Sequence, residues 1–424
     1  MKKYKKRIAD IILKRKLESA GAVLIEGAKW CGKTTTAEQV AKSILYMSDP
    51  GKKAQYLEMA EISPRTLLAG KTPRLLDEWQ LAPKLWDAVR FEVDHRDGSG
   101  LFILTGSAVP PDTGNISHSG TGRFARVKMR PMSLYESGES NGSVSLSELF
   151  RGNREIDGAN GISLEHLAFL VCRGGWPRAA EMSAATALEQ AFDYCDAVIN
   201  SDVSRVDDVS RDPARTRRLM RAYARHQGTQ AANTVIRADI IANDTATFDD
   251  DTLYSYVSAL KKIFVIEDME AWNPNLRSKT AIRTSDTRYF VDPSIAAAAL
   301  GLGPEDLIND LKTFGLLFET MCVRDLRVYS DAVNGQVYHY RDASGLECDA
   351  VIHLRNGKYG LMEIKLGGEK LIEEGAAVLQ KLEEKIDPVR MPPPAFKMVL
   401  TGAGDYAYRR RDGILVVPIG CLGP

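Results

Sequence analysis

No apolar run in this 424-residue chain approaches the roughly 20 residues that cross a bilayer. The basic opening Lys2, Lys3, Lys5, Lys6 and Arg7 leads only into a short apolar stretch broken by Asp10, so neither a membrane span nor a signal peptide is expected. The six cysteines, at 31, 172, 195, 322, 348 and 421, form no C-x-x-C pair, and no H-x-x-x-H spacing stands beside them. That fits a reduced, cytoplasmic protein without structural zinc best. Net charge is also lacking: 56 basic residues balance 56 acidic ones. There is no global field to hold nucleic acid, and any DNA binding must come from one domain or face. Internal repeats and a guanine-reading N-K-x-D motif are absent as well.

What is present is a composition for burial, 44% hydrophobic and 26% charged, in a chain long enough for two to four domains. Residues 4–18 have apolar and basic positions at helical spacing and predict a basic amphipathic first helix within 1–20. The run Ala22-Val23-Leu24-Ile25-Glu26 predicts a strand, followed by a glycine-bearing loop and a helix from Thr34 to Ser43. Further apolar runs at 45–47, 74–77 and 101–105 alternate with helical segments such as 85–95. That order predicts an α/β fold, a parallel sheet with helices on both faces. A Gly-, Ser- and Pro-rich loop is expected at 107–122.

Gly27-Ala28-Lys29-Trp30-Cys31-Gly32-Lys33-Thr34 matches G-x-x-x-x-G-K-[ST] without a mismatch, in the strand-loop-helix setting the motif requires. Its backbone N–H groups, continuing to Thr35, can face phosphate oxygens at a helix N-terminus. Lys33 is expected at the β and γ phosphates of a nucleoside triphosphate and Thr34 on Mg2+. Asp77 and Glu78 close the apolar strand Arg74-Leu75-Leu76-Asp77. Asp77 is expected to anchor the magnesium shell and Glu78 to polarise the attacking water. Thr105, at the next strand tip with Gly106 and Ser107, can orient water or read the γ-phosphate. Arg123, Arg126 and Arg130 are candidate cations for transition-state charge, in cis or from a neighbouring subunit, and the second option implies an oligomer.

Near the carboxy terminus, Asp349 stands on a strand, while Glu363 and Lys365 share one face of the next by two-residue alternation. Such a cluster can hold a second Mg2+ or Mn2+ through oxygen ligands while the lysine steadies charge at a scissile phosphate. Glu319 on the preceding helix can add a ligand, and Gln380 on the following helix can meet substrate.

On these motifs, with Gly122-Arg123, Arg130-Pro131-Met132-Ser133 and Gly174-Gly175-Trp176-Pro177, the chain resembles bacterial and archaeal AAA+ ATPases whose carboxy-terminal half is a domain of unknown function. The resemblance implies a P-loop AAA+ core at 21–150 and a winged helix at 213–300; the stretch between, 151–212, has a mostly helical pattern and is expected as a helical lid or linker. The resemblance further implies a restriction-endonuclease-like domain of the PD-(D/E)xK type at 301–424, with Asp349, Glu363 and Lys365 matching the motif. Cys348 stands where that motif usually has proline. The three helices and β-ribbon expected over 213–292 agree with a winged helix, and Lys261, Lys262, Arg277 and Lys279 can meet DNA phosphates. Two functions follow: an ATPase acting on or with DNA, or an ATP-dependent switch whose carboxy-terminal domains bind a protein partner and cut nothing.

Overall fold

The computed structural model describes residues 4–106, 120–207, 209–242, 248–273 and 284–424. Ser107, Arg277, Lys279 and most of the loop expected at 107–122 lie outside the described residues. The chain divides into two compact units. The first joins Met1–Pro131 to Val198–Asp212 and Tyr256–Val265; the second joins Met132–Ala197, Pro213–Ser255 and Ile266–Pro424.

The first unit contains α1 (Ile8–Ser19), β1 (Ala22–Glu26), α2 (Lys33–Glu38), β2 (Ser43–Tyr46), α3 (Lys53–Ile62), α4 (Pro64–Leu67), β3 (Arg74–Asp77), α5 (Lys84–His95), β4 (Phe102–Gly106) and β5 (Phe124–Lys128). Its five strands are all parallel, in the order β2-β3-β4-β1-β5. The central strands are apolar on both faces, as a sheet covered on both sides requires. Leu24, Leu76, Phe102 and Leu104 pack with Leu85, Trp86 and Val89 of α5. Val23, Ile25, Leu75 and Ile103 pack on the other side with Leu13 and Leu17 of α1. Each such side chain contributes about 1.5–3 kcal/mol by leaving water. β5 is the strand that apolar periodicity misses, because it lies at the sheet edge and carries Arg126 and Lys128 at exposed positions. The P-loop strand β1 and the acidic strand β3 are not neighbours; β4 runs between them and pairs with both.

The second unit begins with α6 (Leu134–Ser137), β6 (Val144–Ser145), α7 (Leu146–Arg151), β7 (Gly158–Ala159), α8 (Leu164–Arg173) and α9 (Ala184–Ala197). After the excursion into the first unit come α10 (Pro213–Arg225), α11 (Asn233–Ala242), the start of α12 (Asp250–Lys262), α13 (Pro293–Leu300), α14 (Pro304–Asn309) and α15 (Leu311–Ala332). The remainder is β8 (Gly335–Arg341), β9 (Glu347–Leu354), β10 (Tyr359–Lys365), α16 (Glu369–Lys385), β11 (Phe396–Thr401), β12 (Tyr406–Arg409), β13 (Leu415–Pro418) and β14 (Leu422–Gly423). A seven-stranded sheet runs β7-β12-β13-β11-β10-β9-β8, antiparallel across β8-β9-β10 and parallel across β10-β11-β13. Trp272, Tyr340, Val351, Tyr359, Leu361, Leu379 and Val399 fill one core beside it.

The segment expected as a lid, 151–212, is divided: only Val198–Asp212 groups with the five-stranded parallel sheet. The Gly174-Gly175-Trp176-Pro177 turn is instead buried in the second unit. Gly175 N donates to Asp292 Oδ2 (2.9 Å), Met132 N donates to Gly175 O (2.6 Å), and Trp176 Nε1 donates to Ser294 Oγ (3.0 Å). A Cβ on Gly175 would stand 2.1 Å from Met132 O, which is why only glycine serves there. Fully buried Arg324 binds Asp292 (2.9 Å) and Asp325 (2.7 Å), so its charge is compensated where an unpaired one would be costly. The three helices α10 to α12 follow the expected order. The ribbon after them is reduced, among the described residues, to the isolated antiparallel bridges Ile266–Phe290 and Met269–Thr287. No described helix is long and apolar enough to cross a membrane.

Candidate nucleotide site and the C-terminal carboxylate cluster

The loop from Gly27 to Thr34 leaves the end of β1 and enters α2. Gly27 takes φ +153°, and a Cβ there would come within 2.0 Å of Met129 O. Gly32, at φ +100°, caps α2 without a side chain of its own, and Trp30 is left-handed at φ +65° with its indole half exposed. Backbone of this kind is costly for ordinary residues and is held in place by its surroundings. Ala28 and Cys31 are fully buried, whereas Thr35 is exposed. Lys33 is buried, and its Nζ donates to the carbonyls of Gly27 (2.9 Å) and Ala28 (2.8 Å) across the loop. Lys29 Nζ pairs with Asp202 Oδ1 at 2.5 Å, tying the loop to a segment about 170 residues later in the same unit.

The hydroxyls of Thr34 and Thr105 both donate to Asp77 Oδ1, each at 2.7 Å. The strand order explains the convergence: Asp77 and Thr105 are register partners on adjacent β3 and β4, and β1 on the other side of β4 delivers the loop. Thr105, expected at water or the γ-phosphate, thus has its proton engaged by Asp77. Glu78 adopts the left-handed region at φ +55°, and the Gln80 amide donates to its carboxylate. A magnesium ion keeps several waters and needs few protein oxygens, and the Thr34 hydroxyl beside the Asp77 carboxylate fits that demand.

Arg123 donates to Asp94 Oδ1 (2.8 Å) and holds that carboxyl below its usual range; Arg126 donates to Glu26 Oε2 (3.0 Å). Arg130 is buried, and its main-chain oxygen accepts from Arg7 Nη2 at 2.9 Å. Sequence reasoning missed Arg7, Gln80 and Asp202. Gln80 stands two residues after Glu78 and was within reach of inspection; nothing local marks Asp202 as a partner of the loop.

In the second unit, Lys365 Nζ bridges Glu363 Oε2 (2.6 Å) and Asp349 Oδ2 (3.1 Å), so the alternation that put Glu363 and Lys365 on one face brings them to Asp349. The N–H of Ile364 donates to Asp349 Oδ2 (2.7 Å) and that of Asp349 to Glu363 Oε1 (3.3 Å). Glu319 accepts from the Tyr289 hydroxyl, and burial, then the Asp349 charge, push its carboxyl up to about 8. The same two causes raise Glu363, against the pull of Lys365, and both carboxylates raise Lys365 despite its burial. Of the two raised glutamates, Glu363 has the ion pair with Lys365 at 2.6 Å and Glu319 the Tyr289 hydroxyl. Glu319 and Asp349 line a pocket of about 170 Å3 with Gly228, Gln230 and Tyr340. Gln380, expected at substrate, donates to Asp412 Oδ2 (3.3 Å). Among the described residues, no three His, Cys, Asp or Glu side chains are grouped to hold a metal ion. The arrangement is a lysine-bridged carboxylate cluster.

Three stretches match family models: residues 19–138 an AAA domain, 164–306 a domain of unknown function (DUF8612) and 314–422 another (DUF4143). Uncharacterized proteins of Mycobacterium bovis and Mycobacterium tuberculosis are each 24% identical over 368 residues, covering 85% of this chain and 74% of theirs. Among solved structures, a Walker-type ATPase of Pyrococcus abyssi aligns over 69% of this chain and 94% of its own, at 16% identity and TM-score 0.42. AMPPCP-bound DnaA from Aquifex aeolicus aligns over 62% of this chain and 89% of its own, at 13% identity and TM-score 0.29. By the family models the chain carries an AAA domain, with its P-loop on a parallel sheet, and a DUF4143 domain at its carboxy-terminal end.

Proposed function

We propose that this protein hydrolyses ATP with magnesium, and that its carboxy-terminal domain binds a partner rather than cutting one. The observation that carries the first part is the convergence of Thr34 and Thr105 on one oxygen of Asp77, beside a complete P-loop. Gly27 to Thr35 cradle the phosphates, Lys33 exchanges its bonds to Gly27 and Ala28 for β and γ oxygens, and Thr34 with Asp77 holds the metal. Magnesium held there would supply positive charge against the phosphates. Glu78 takes the proton of the water that attacks the γ-phosphorus, as the bond to the ADP oxygen breaks. Arg123, half-exposed on its Asp94 partner, is the candidate cation for the charge that develops.

The second part rests on Lys365, whose ammonium sits on both Asp349 and Glu363. DNA is the partner that the order α10-α11-α12 favours, with Arg217 and Arg221 exposed on α10. Lys262 spends part of its charge on Asp207 (3.4 Å). The competing reading is a switch that binds a protein. ATP turnover by the full chain tests the hydrolysis and the choice of partner. Lys33→Ala should lose turnover with the fold intact, and unchanged turnover refutes the site. Stimulation of the wild type by single-stranded, duplex or branched DNA, at stated salt, names DNA as the partner. Flat turnover across all three favours the switch.

A further inference from the structure

We infer that Arg7 is a positioning residue for the phosphate loop, one that fixes which way the Cys31–Gly32 peptide faces; this rests on the nucleotide-binding reading above. By sequence Arg7 is one of the five cations of the basic opening, with Lys2, Lys3, Lys5 and Lys6. In the fold, α1 begins only at Ile8, and Arg7 is extended (φ −112°, ψ 149°) with only 5% of its surface exposed. Its guanidinium spans two carbonyls that follow the neighbouring strands β1 and β5, Cys31 O at 2.7 Å and Arg130 O at 2.9 Å.

A trans peptide is planar, with its C=O and N–H opposed. Holding the Cys31 carbonyl toward Arg7 therefore turns the Gly32 N–H the other way. That N–H belongs to the stretch of the motif whose amides face phosphate. The peptide also precedes a glycine at φ +100°, where the backbone has several wells of similar energy and resists rotation least. An external clamp matters most at such a peptide. The arm carrying Arg7 is itself anchored on α2: the Tyr4 hydroxyl donates to Asp10 Oδ1 (2.6 Å) and shares a hydrogen bond with Thr36 Oγ1 (2.9 Å). Asp10 Oδ2 accepts from Arg7 N (2.8 Å), closing the arm on the residue it presents. The segment from Tyr4 to Asp10 thus braces the loop crown and the helix behind it. Arg7 touches no reacting atom; it acts through the peptide.

The test uses the full chain, a fluorescent ADP analogue (mant-ADP) with magnesium, and turnover against MgATP concentration. Losing one oriented N–H to a charged phosphate predicts that Arg7→Ala weakens mant-ADP binding and raises KM about 10- to 100-fold, with kcat changed by much less. Arg7→Lys, which reaches one carbonyl at a time, should fall between. Millimolar guanidinium should restore the affinity of Arg7→Ala, a readout that general loosening would not give. Should Arg7→Ala fail to fold, Arg7→Lys decides, with a loss of about tenfold expected. Binding by Arg7→Ala, or by Arg7→Lys if that is the folded variant, within about twofold of wild type overturns the inference, as does a fall in kcat at unchanged affinity. Wild-type protein that binds no mant-ADP overturns the nucleotide reading, and this inference with it.

Discussion

Thr105→Val isolates the role of the strand that separates the P-loop from the acidic strand. Thr105 is 1% exposed, and valine matches its shape, so the change removes one hydroxyl and little else. What is lost is a 2.7 Å hydrogen bond to Asp77 Oδ1, an acceptor shared only with Thr34 among the contacts described above. Thr34 is also the hydroxyl that would hold the metal, whereas Thr105 is the donor on Asp77 with no such second role. A hydrogen bond to a charged group contributes about 1.5–3 kcal/mol. If that energy holds Asp77 in its working orientation, kcat should fall roughly 10- to 100-fold, since each 1.4 kcal/mol is a factor of ten. Affinity for mant-ADP, set by the loop, should stay near wild type. Thr105→Ser keeps the hydroxyl and should recover most of the rate. Steady-state turnover and a binding titration on the same preparations supply both numbers. A folded Thr105→Val with wild-type kcat would show that the convergence on Asp77 does not matter to hydrolysis. Recovery absent in Thr105→Ser would point to packing instead.

Glu78→Gln should retain ATP but turn it over slowly, because the amide cannot accept the proton of the attacking water; normal single-turnover rates would remove Glu78 from that role. For Glu319 the sign runs against the usual acid: its folded carboxyl is raised to about 8, above an unfolded value of about 4.3. Between those values the folded chain keeps a proton that the unfolded chain releases. Stability should therefore fall as pH rises through that window and level off above it, by up to about 1.4 kcal/mol per pH unit for one proton. Glu319→Gln should flatten that slope in denaturant titrations at pH 5 to 8; an unchanged slope would place the proton elsewhere.

Much of the first unit was legible because its chemistry is local. A P-loop needs its glycines and lysine within eight consecutive residues, and β3 was readable as Arg74–Asp77 because a buried parallel strand is a continuous apolar run. The edge strand β5 was read only as a source of arginines, since Arg126 and Lys128 interrupt its apolar pattern. The partners of the loop were hidden for a different reason. Asp202 reaches Lys29 across the fold, and Arg7 looked like a surface cation until the start of α1 at Ile8 left it in the interior. In the carboxy-terminal cluster, two-residue alternation was enough to place Glu363 beside Lys365, but not to say that the lysine would lie between both carboxylates.

The chain passes between its two compact units after residues 131, 197, 212, 255 and 265. Synthesis is directional, and this order has a cost in time. The phosphate loop is made within the first few dozen residues, yet the acid that pairs with Lys29 follows about 170 residues later. At ordinary elongation rates that is on the order of ten to thirty seconds, during which the nascent sheet has its strands but not its whole perimeter. A fragment ended after the sheet would remain in that state permanently, with a loop whose lysine has lost its counter-charge.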